Sequence, residues 1–171
     1  MIQELLNDKH IKPKEKTETI SRMLLDGTIT ASELMELAKT LKDPGKATCI
    51  EALEFASQSK PELVDIKTFD FVSACLTEKA PRIKWESAKV IGNTARLHPR
   101  KLDTAIKNLL VNSEHSGTVV RWSAAFALGE ILKLNLPGHK DLKEAAETIC
   151  EREEKNSIKK IYLAAFKKMK A

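Results

Sequence analysis

Ile83-Lys84-Trp85-Glu86-Ser87-Ala88-Lys89-Val90-Ile91-Gly92 and Val120-Arg121-Trp122-Ser123-Ala124-Ala125-Phe126-Ala127-Leu128-Gly129 stand 37 residues apart and align without a gap. They share a β-branched residue, a base, a tryptophan, an alanine, an aliphatic residue and a glycine. Thirty-six residues before Ile83, Ala47-Thr48-Cys49-Ile50-Glu51-Ala52-Leu53-Glu54-Phe55-Ala56 keeps the small and apolar positions, with Cys49 for Trp85 and Ala56 for Gly92. Thirty-eight residues after Val120, Ile158-Lys159 opens a fourth copy, in which Leu163 and Phe166 fall where Ala125 and Leu128 stand. Offsets of 36, 37 and 38 residues define a repeat unit, the mark of a stacked array and not of a globule around one core.

Around these blocks the apolar residues recur at helical spacing nearly throughout. Ile2, Leu5 and Leu6 form a short patch before Pro13, and a helix over 14–25 stops at Asp26-Gly27. Thr30 with Glu33 reads as a capping box for a helix over 31–42, and Asp43 as the N-cap of one over 43–59 with Pro44 at its first position. Further helices are expected over 67–78, 81–97, 100–112, 117–134, 140–153 and from 157 onward, separated by Pro61, His98-Pro99, Ser116-Gly117 and Pro137-Gly138. On a helical wheel Val120, Ala124, Ala127, Leu128, Ile131 and Leu132 cover one face, while Trp122, Phe126 and Gly129 share another. A helix apolar on nearly every side must be sandwiched. Ala88, Gly92, Ala125 and Gly129 let neighbouring backbones approach, which accounts for two mid-helix glycines at about 1 kcal/mol each.

The segments Gly117–Ile131 and Pro81–Gly92 resemble the second helix of HEAT repeats, whose pattern is an acid or Pro, then Val-Arg, two Ala and Leu-Gly. The resemblance covers residues 43–171. It implies an all-α, right-handed α-α superhelix, a solenoid of about four to five HEAT-like helical hairpins, armadillo-like in build, with the second helices on the concave side. The Asp that commonly precedes the Val-Arg pair stands only as Asp43, with Lys79 and Ser116 in the other copies. The expected organisation is a single repeat domain over 1–171. It has a degenerate N-terminal repeat over 1–42, repeats over 43–78, 79–116 and 117–155, and a C-terminal capping helix over 156–171.

Composition agrees with that reading. With 171 residues, 5% aromatics and only 6 Gly and 6 Pro, the chain is too poor in turn and strand formers for a β sandwich or barrel. Its net charge of +5 permits a polyanionic partner without implying one. The excess is concentrated, since Lys79–Lys140 holds 11 bases and 4 acids. Cys49, Cys75 and Cys150 form no CxxC pair and read as core residues of a reducing compartment. The start MIQELLNDKHIK lacks the apolar run of a secretory signal, and no stretch suits a membrane span, so a cytoplasmic chain without membrane association is expected. The basic last helix, with Lys159, Lys160, Lys167, Lys168 and Lys170, is expected to cap the stack and to pair locally with Glu144, Glu147, Glu151, Glu153 and Glu154.

No phosphate loop, dinucleotide fingerprint, nucleophile elbow or zinc spacing occurs, and His10, His98, His115 and His139 each fall in or near a turn, where solvated histidines are expected. The chain is read as a non-enzymatic scaffold or interaction module without cofactor or metal. Its expected partner is a protein or peptide held in the concave groove by Glu86, Lys89, Asn93, Arg96, Phe126, Glu130 and Lys133, which share the groove-facing sector of the second helices. The alternative is nucleic-acid binding along the basic groove, with Trp85 and Trp122 stacking on a base. That alternative resembles, distantly, the HEAT-like DNA glycosylases of the alkylation-repair family. In those an Asp lies one turn after a Trp, where this chain has Lys89 and Phe126.

Overall fold

The capping box forms as read. Thr30 Oγ1 accepts from the Glu33 N–H at 3.1 Å while the Glu33 carboxylate accepts from the Thr30 N–H at 2.8 Å. The structure is a computed structural model that describes residues 1–169; Lys170 and Ala171, the end of the expected capping helix, lie outside the described residues. Ten α-helices are present among the described residues: α1 (Ile2–Asn7), α2 (Pro13–Leu25), α3 (Ala31–Thr40), α4 (Asp43–Ser59), α5 (Ile66–Cys75), α6 (Pro81–Thr94), α7 (Asp103–Asn112), α8 (Thr118–Lys133), α9 (Lys140–Arg152) and α10 (Asn156–Met169). None of them is long and apolar enough to cross a membrane.

Three local expectations shift. Lys42 holds the N-cap of α4 and Asp43 is already helical, without a capping bond from the Lys42 side chain. The helix expected from Arg100 starts at Asp103, because the chain after Pro99 first turns and the Lys101 N–H bonds the His98 carbonyl. The acids of α9 do not pair with the α10 lysines among the described residues. Glu147 instead meets Lys143 at 3.6 Å within α9, and Glu153 meets Arg121 at 3.1 Å.

Consecutive helices pack as five hairpins: α1 with α2, α3 with α4, α5 with α6, α7 with α8 and α9 with α10. The second helices then stack in chain order, α2 on α4 on α6 on α8 on α10, while α3, α5 and α7 form the outer layer. Each second helix therefore buries two faces. In α8 the residues Val120, Ser123, Ala124, Ala125, Ala127, Leu128, Gly129, Ile131 and Leu132 are all buried. Gly129 sets the approach of the last helix, since an added Cβ would stand 3.3 Å from Ile161 Cγ2 of α10.

The hairpins are also joined by polar bonds from bases at the start of the second helices to the end of the next outer helix. Lys46 pairs with Glu78 beyond α5. Lys84 Nζ reaches the Leu76 carbonyl at 3.2 Å and Asn112 Oδ1 at 3.4 Å, and Arg121 reaches the His115 and Ser116 carbonyls at 3.1 Å and Glu153 at 3.1 Å. Asn112 and Asn108 donate to the Leu76 and Ser73 carbonyls at 3.0 Å, tying α7 to α5. An inter-repeat ladder thus exists without the Asp of the HEAT pattern, its acceptors being Glu78, Asn112 and Glu153.

Burial pushes the Glu153 carboxyl up, but the Arg121 guanidinium and the backbone N–H groups beside it outweigh that and leave it below the ordinary range. Both partners are largely buried, with 18% and 5% of their side chains exposed. Removing the base strands a buried carboxylate, so Arg121→Ala is expected to cost about 3 kcal/mol in urea unfolding at neutral pH. A depressed folded-state pKa gives stability above the ordinary carboxylate value of 4.5 and loses it as pH falls through the lower folded value. The gap between wild type and Arg121→Ala therefore shrinks in acid, and an equal gap at both pH values contradicts this account.

Candidate functional site

The outward face of the second-helix layer carries a groove across α4, α6 and α8. Its wider part, about 590 Å³, is lined by Glu54, Phe55, Ser57, Gln58 and Pro61 from the α4 side, by Lys89, Asn93 and Arg96 in the middle, and by Trp122 and Phe126 from α8. A second part of about 320 Å³ continues past Gly92, Asn93, Arg96 and Phe126 to Glu130, Lys133 and Leu134. Asn93, Arg96 and Phe126 belong to both.

The aromatic wall is built by spacing and by a glycine. Trp122 and Phe126, four residues apart on α8, stack with ring centroids 5.9 Å apart and planes inclined by 5°. The Phe126 ring lies against Gly92, where an added Cβ would stand 2.8 Å from Phe126 Cδ2, closer than side chains tolerate. Gly92 is therefore the seat of the ring. Phe55 faces them from α4, 48% exposed, and Trp122 is 38% exposed.

The floor is polar and largely self-satisfied. Asn93 Nδ2 donates to Ser57 Oγ at 3.0 Å and to the Glu54 carbonyl at 3.3 Å. Because the carbonyl can only accept, the amide nitrogen must face α4 and Oδ1 is left to the groove. Lys89 Nζ lies 3.8 Å from Glu54 and 3.5 Å from Glu86, so one ammonium serves two buried carboxylates. Glu54 Oε1 also accepts from Gln58 at 2.6 Å. Lys133 pairs with Glu130 at 3.0 Å. Among the described residues Arg96 is exposed and has no ion pair.

Of the seven residues expected to share a groove, six do line it: Lys89, Asn93, Arg96, Phe126, Glu130 and Lys133. Glu86 departs from the expectation. It is 4% exposed, turned into the seam between α4 and α6, where its Oε1 accepts from Trp85 Nε1 at 2.9 Å and its Oε2 is buried without a hydrogen bond. The two tryptophans also part company, for Trp122 lines the groove and Trp85 does not. Four residues after Trp122 stands Phe126, which braces the indole; four after Trp85 stands Lys89, which is drawn to the carboxylates instead. Phe55, Ser57, Gln58 and Pro61 escaped the reading by repeats, because the 36-residue offset matches Phe55 to the buried Ile91. The signal was on the wheel: Glu51, Phe55 and Gln58 share a helical face, so Phe55 is an aromatic residue on a polar side.

Other reactive groups are occupied or inert. Burial pushes the Cys49 thiol up to about 12 and the Cys75 thiol up to about 11, which leaves neither a nucleophile. Two of the turn histidines are structural and not merely solvated. His98 Nε2 lies 2.7 Å from the Val64 carbonyl with its ring against Phe69, and His115 Nδ1 accepts from the Gly117 N–H at 2.8 Å. Among the described residues no three His, Cys, Asp or Glu side chains converge so as to hold a metal ion.

Helical hairpins stacked through their second helices define the class of the chain: in fold it is an armadillo- and HEAT-like repeat solenoid. Comparison with known proteins agrees. An engineered protein of 14% identity superposes with a TM-score of 0.76 over 99% of this chain and 48% of its own length. A designed armadillo repeat protein in complex with a (KR)4 peptide superposes with a TM-score of 0.67, at 13% identity, over 98% of this chain and 80% of its own. In sequence, 73 residues are 30% identical to the coatomer subunit gamma of Anopheles gambiae, 43% of this chain and only 8% of that subunit. No protein-family model matches.

Glu86 gives the site a pH signature. Burial raises its carboxyl above the ordinary 4.5, and Lys89 only partly offsets this. An acid raised in the folded state binds its proton more tightly there, so its contribution to stability falls as pH rises above the unfolded value. Glu86→Gln, which keeps the acceptor for Trp85, is expected to be more stable than wild type at neutral pH, with the gain vanishing below pH 4.5. Urea unfolding at the two pH values measures it, and a loss of stability at neutral pH contradicts it.

Proposed function

We propose that this chain is a non-enzymatic binding module that holds an extended protein or peptide segment in the groove across α4, α6 and α8. The observation that carries the reading is the aromatic wall. Phe55, Trp122 and Phe126, from two second helices on either side of a third, line one cavity and leave apolar rings in water. Exposed apolar clusters of that kind mark interaction surfaces. Asn93, between the walls, offers an acceptor suited to a partner's backbone N–H. The designed neighbour that carries a peptide lends support at the level of fold. A cytoplasmic setting goes with this proposal, since Cys49, Cys75 and Cys150 are all free.

Nucleic-acid binding gains less support. A phosphate track needs several available cations, whereas Lys89 and Lys133 are engaged by carboxylates in the groove and Trp85 is not there to complete a stacking pair. A glycosylase reading has no carboxylate in the groove placed one turn after a tryptophan.

Panning a peptide display library on the full chain is the direct test. Recovered peptides are expected to lose about tenfold or more in affinity with Trp122→Ala and with Phe55→Ala, as buried aromatic anchors do. Helix content should be unchanged, because both side chains are partly exposed. Peptides that bind both variants as well as wild type place the interaction elsewhere.

A further inference from the structure

Resting on the groove reading above, we infer the chemistry of the segment it takes: a carboxylate side chain beside an aromatic or large aliphatic one. Charge complementarity supplies the argument. The acids near the floor, Glu54 and Glu86, are 3% and 4% exposed, and Lys89 lies within 4 Å of both. Both are buried, and Lys89 offsets one of their two charges, so neither carboxylate is open to a ligand. Glu130 and Lys133 neutralise each other at 3.0 Å. What remains is the Arg96 guanidinium, exposed, unpaired among the described residues, and shared by both parts of the groove.

A guanidinium is a fork for a carboxylate and is held charged at any physiological pH. In the same cavity Phe55, Trp122 and Phe126 offer an apolar slot, and Asn93 Oδ1 offers an acceptor. In an extended segment residues two apart point to the same side, so an acidic and an apolar residue separated by one position reach fork and slot together. A peptide of lysine and arginine, as in the designed neighbour's complex, meets the wrong sign here: its charges approach Arg96 and find no exposed carboxylate except the one already paired to Lys133. A polyanion such as a single strand of nucleic acid meets the right sign, but only once.

Four labelled probes separate these cases by fluorescence anisotropy on the full chain: a peptide repeating Asp-Ser-Phe-Ser (Asp/Phe), one repeating Ser-Ser-Phe-Ser (Ser/Phe), (KR)4 and an oligothymidylate. The Asp/Phe peptide is expected to bind tightest, and Arg96→Glu to weaken it about tenfold while leaving the Ser/Phe peptide unmoved. Since Arg96 is exposed, the circular dichroism of that variant should match wild type. If Trp122→Ala abolishes Asp/Phe binding but Arg96→Glu does not change it, the inference is overturned and the groove reading stands. Tighter binding of (KR)4 overturns the inference likewise. Tighter binding of the oligothymidylate with a steep salt dependence overturns it in favour of nucleic acid. If no probe distinguishes wild type from Trp122→Ala, both readings fall.

Discussion

Everything in this chain depends on the need of each second helix to be covered on two sides. A helix such as α8 has Leu128 and Ile131 on one flank and Ala125 and Gly129 on another, and no single partner helix can cover both. Its own hairpin partner takes one flank and the next second helix takes the other. In α10 Lys160, Lys167 and Lys168 are exposed. Leu163 on the same helix is 56% exposed. Repeat period and fold class are consequences of one packing requirement.

The same requirement makes the groove. Second helices brought close by small residues leave only a narrow strip of each facing outward, and side chains on adjacent strips meet across the seams. Gly92 illustrates the link between packing and site. Without a Cβ it lets the Phe126 ring settle on α6, and the settled ring is what Trp122 stacks upon. A glycine that costs helix stability locally is thereby tied to the aromatic wall, and the repeat position that matters for stacking also matters for the surface.

The repeat could be read from sequence because it is periodic, and the site only in part because it is not. Lys89, Asn93, Arg96, Phe126, Glu130 and Lys133 reach the groove through the wheel of their own helices, which spacing alone determines. Glu86 sits on the same wheel sector, yet the seam with α4 closes over it, and that depends on how near α4 comes. Trp85 and Trp122 hold the same repeat position and differ in what stands one turn later. Phe55 was not among the expected groove residues, since the repeat offset aligns it with Ile91, which is buried, whereas Phe55 is exposed. Copies that share a backbone path do not share a side-chain environment, as Phe55 and Ile91 show.

The bookkeeping of charge follows from burial as well. A basic middle segment suggests a basic groove only if the bases are free, and the second helices bring acids to the same seams. Lys89 is held between Glu54 and Glu86, Arg82 is held by Glu51, Lys84 and Arg121 are turned to the outer layer by carbonyls, Asn112 and Glu153. Each of these cations does structural work at a hairpin junction. A count over 79–140 includes them all, whereas a ligand meets only what the junctions have not used. In the groove that residue is Arg96, placed in the turn after α6 and engaged in no ion pair among the described residues. A solenoid that joins its repeats with ion pairs thus presents a field much weaker than its net charge, and its selectivity rests on the few charges that fall outside the ladder.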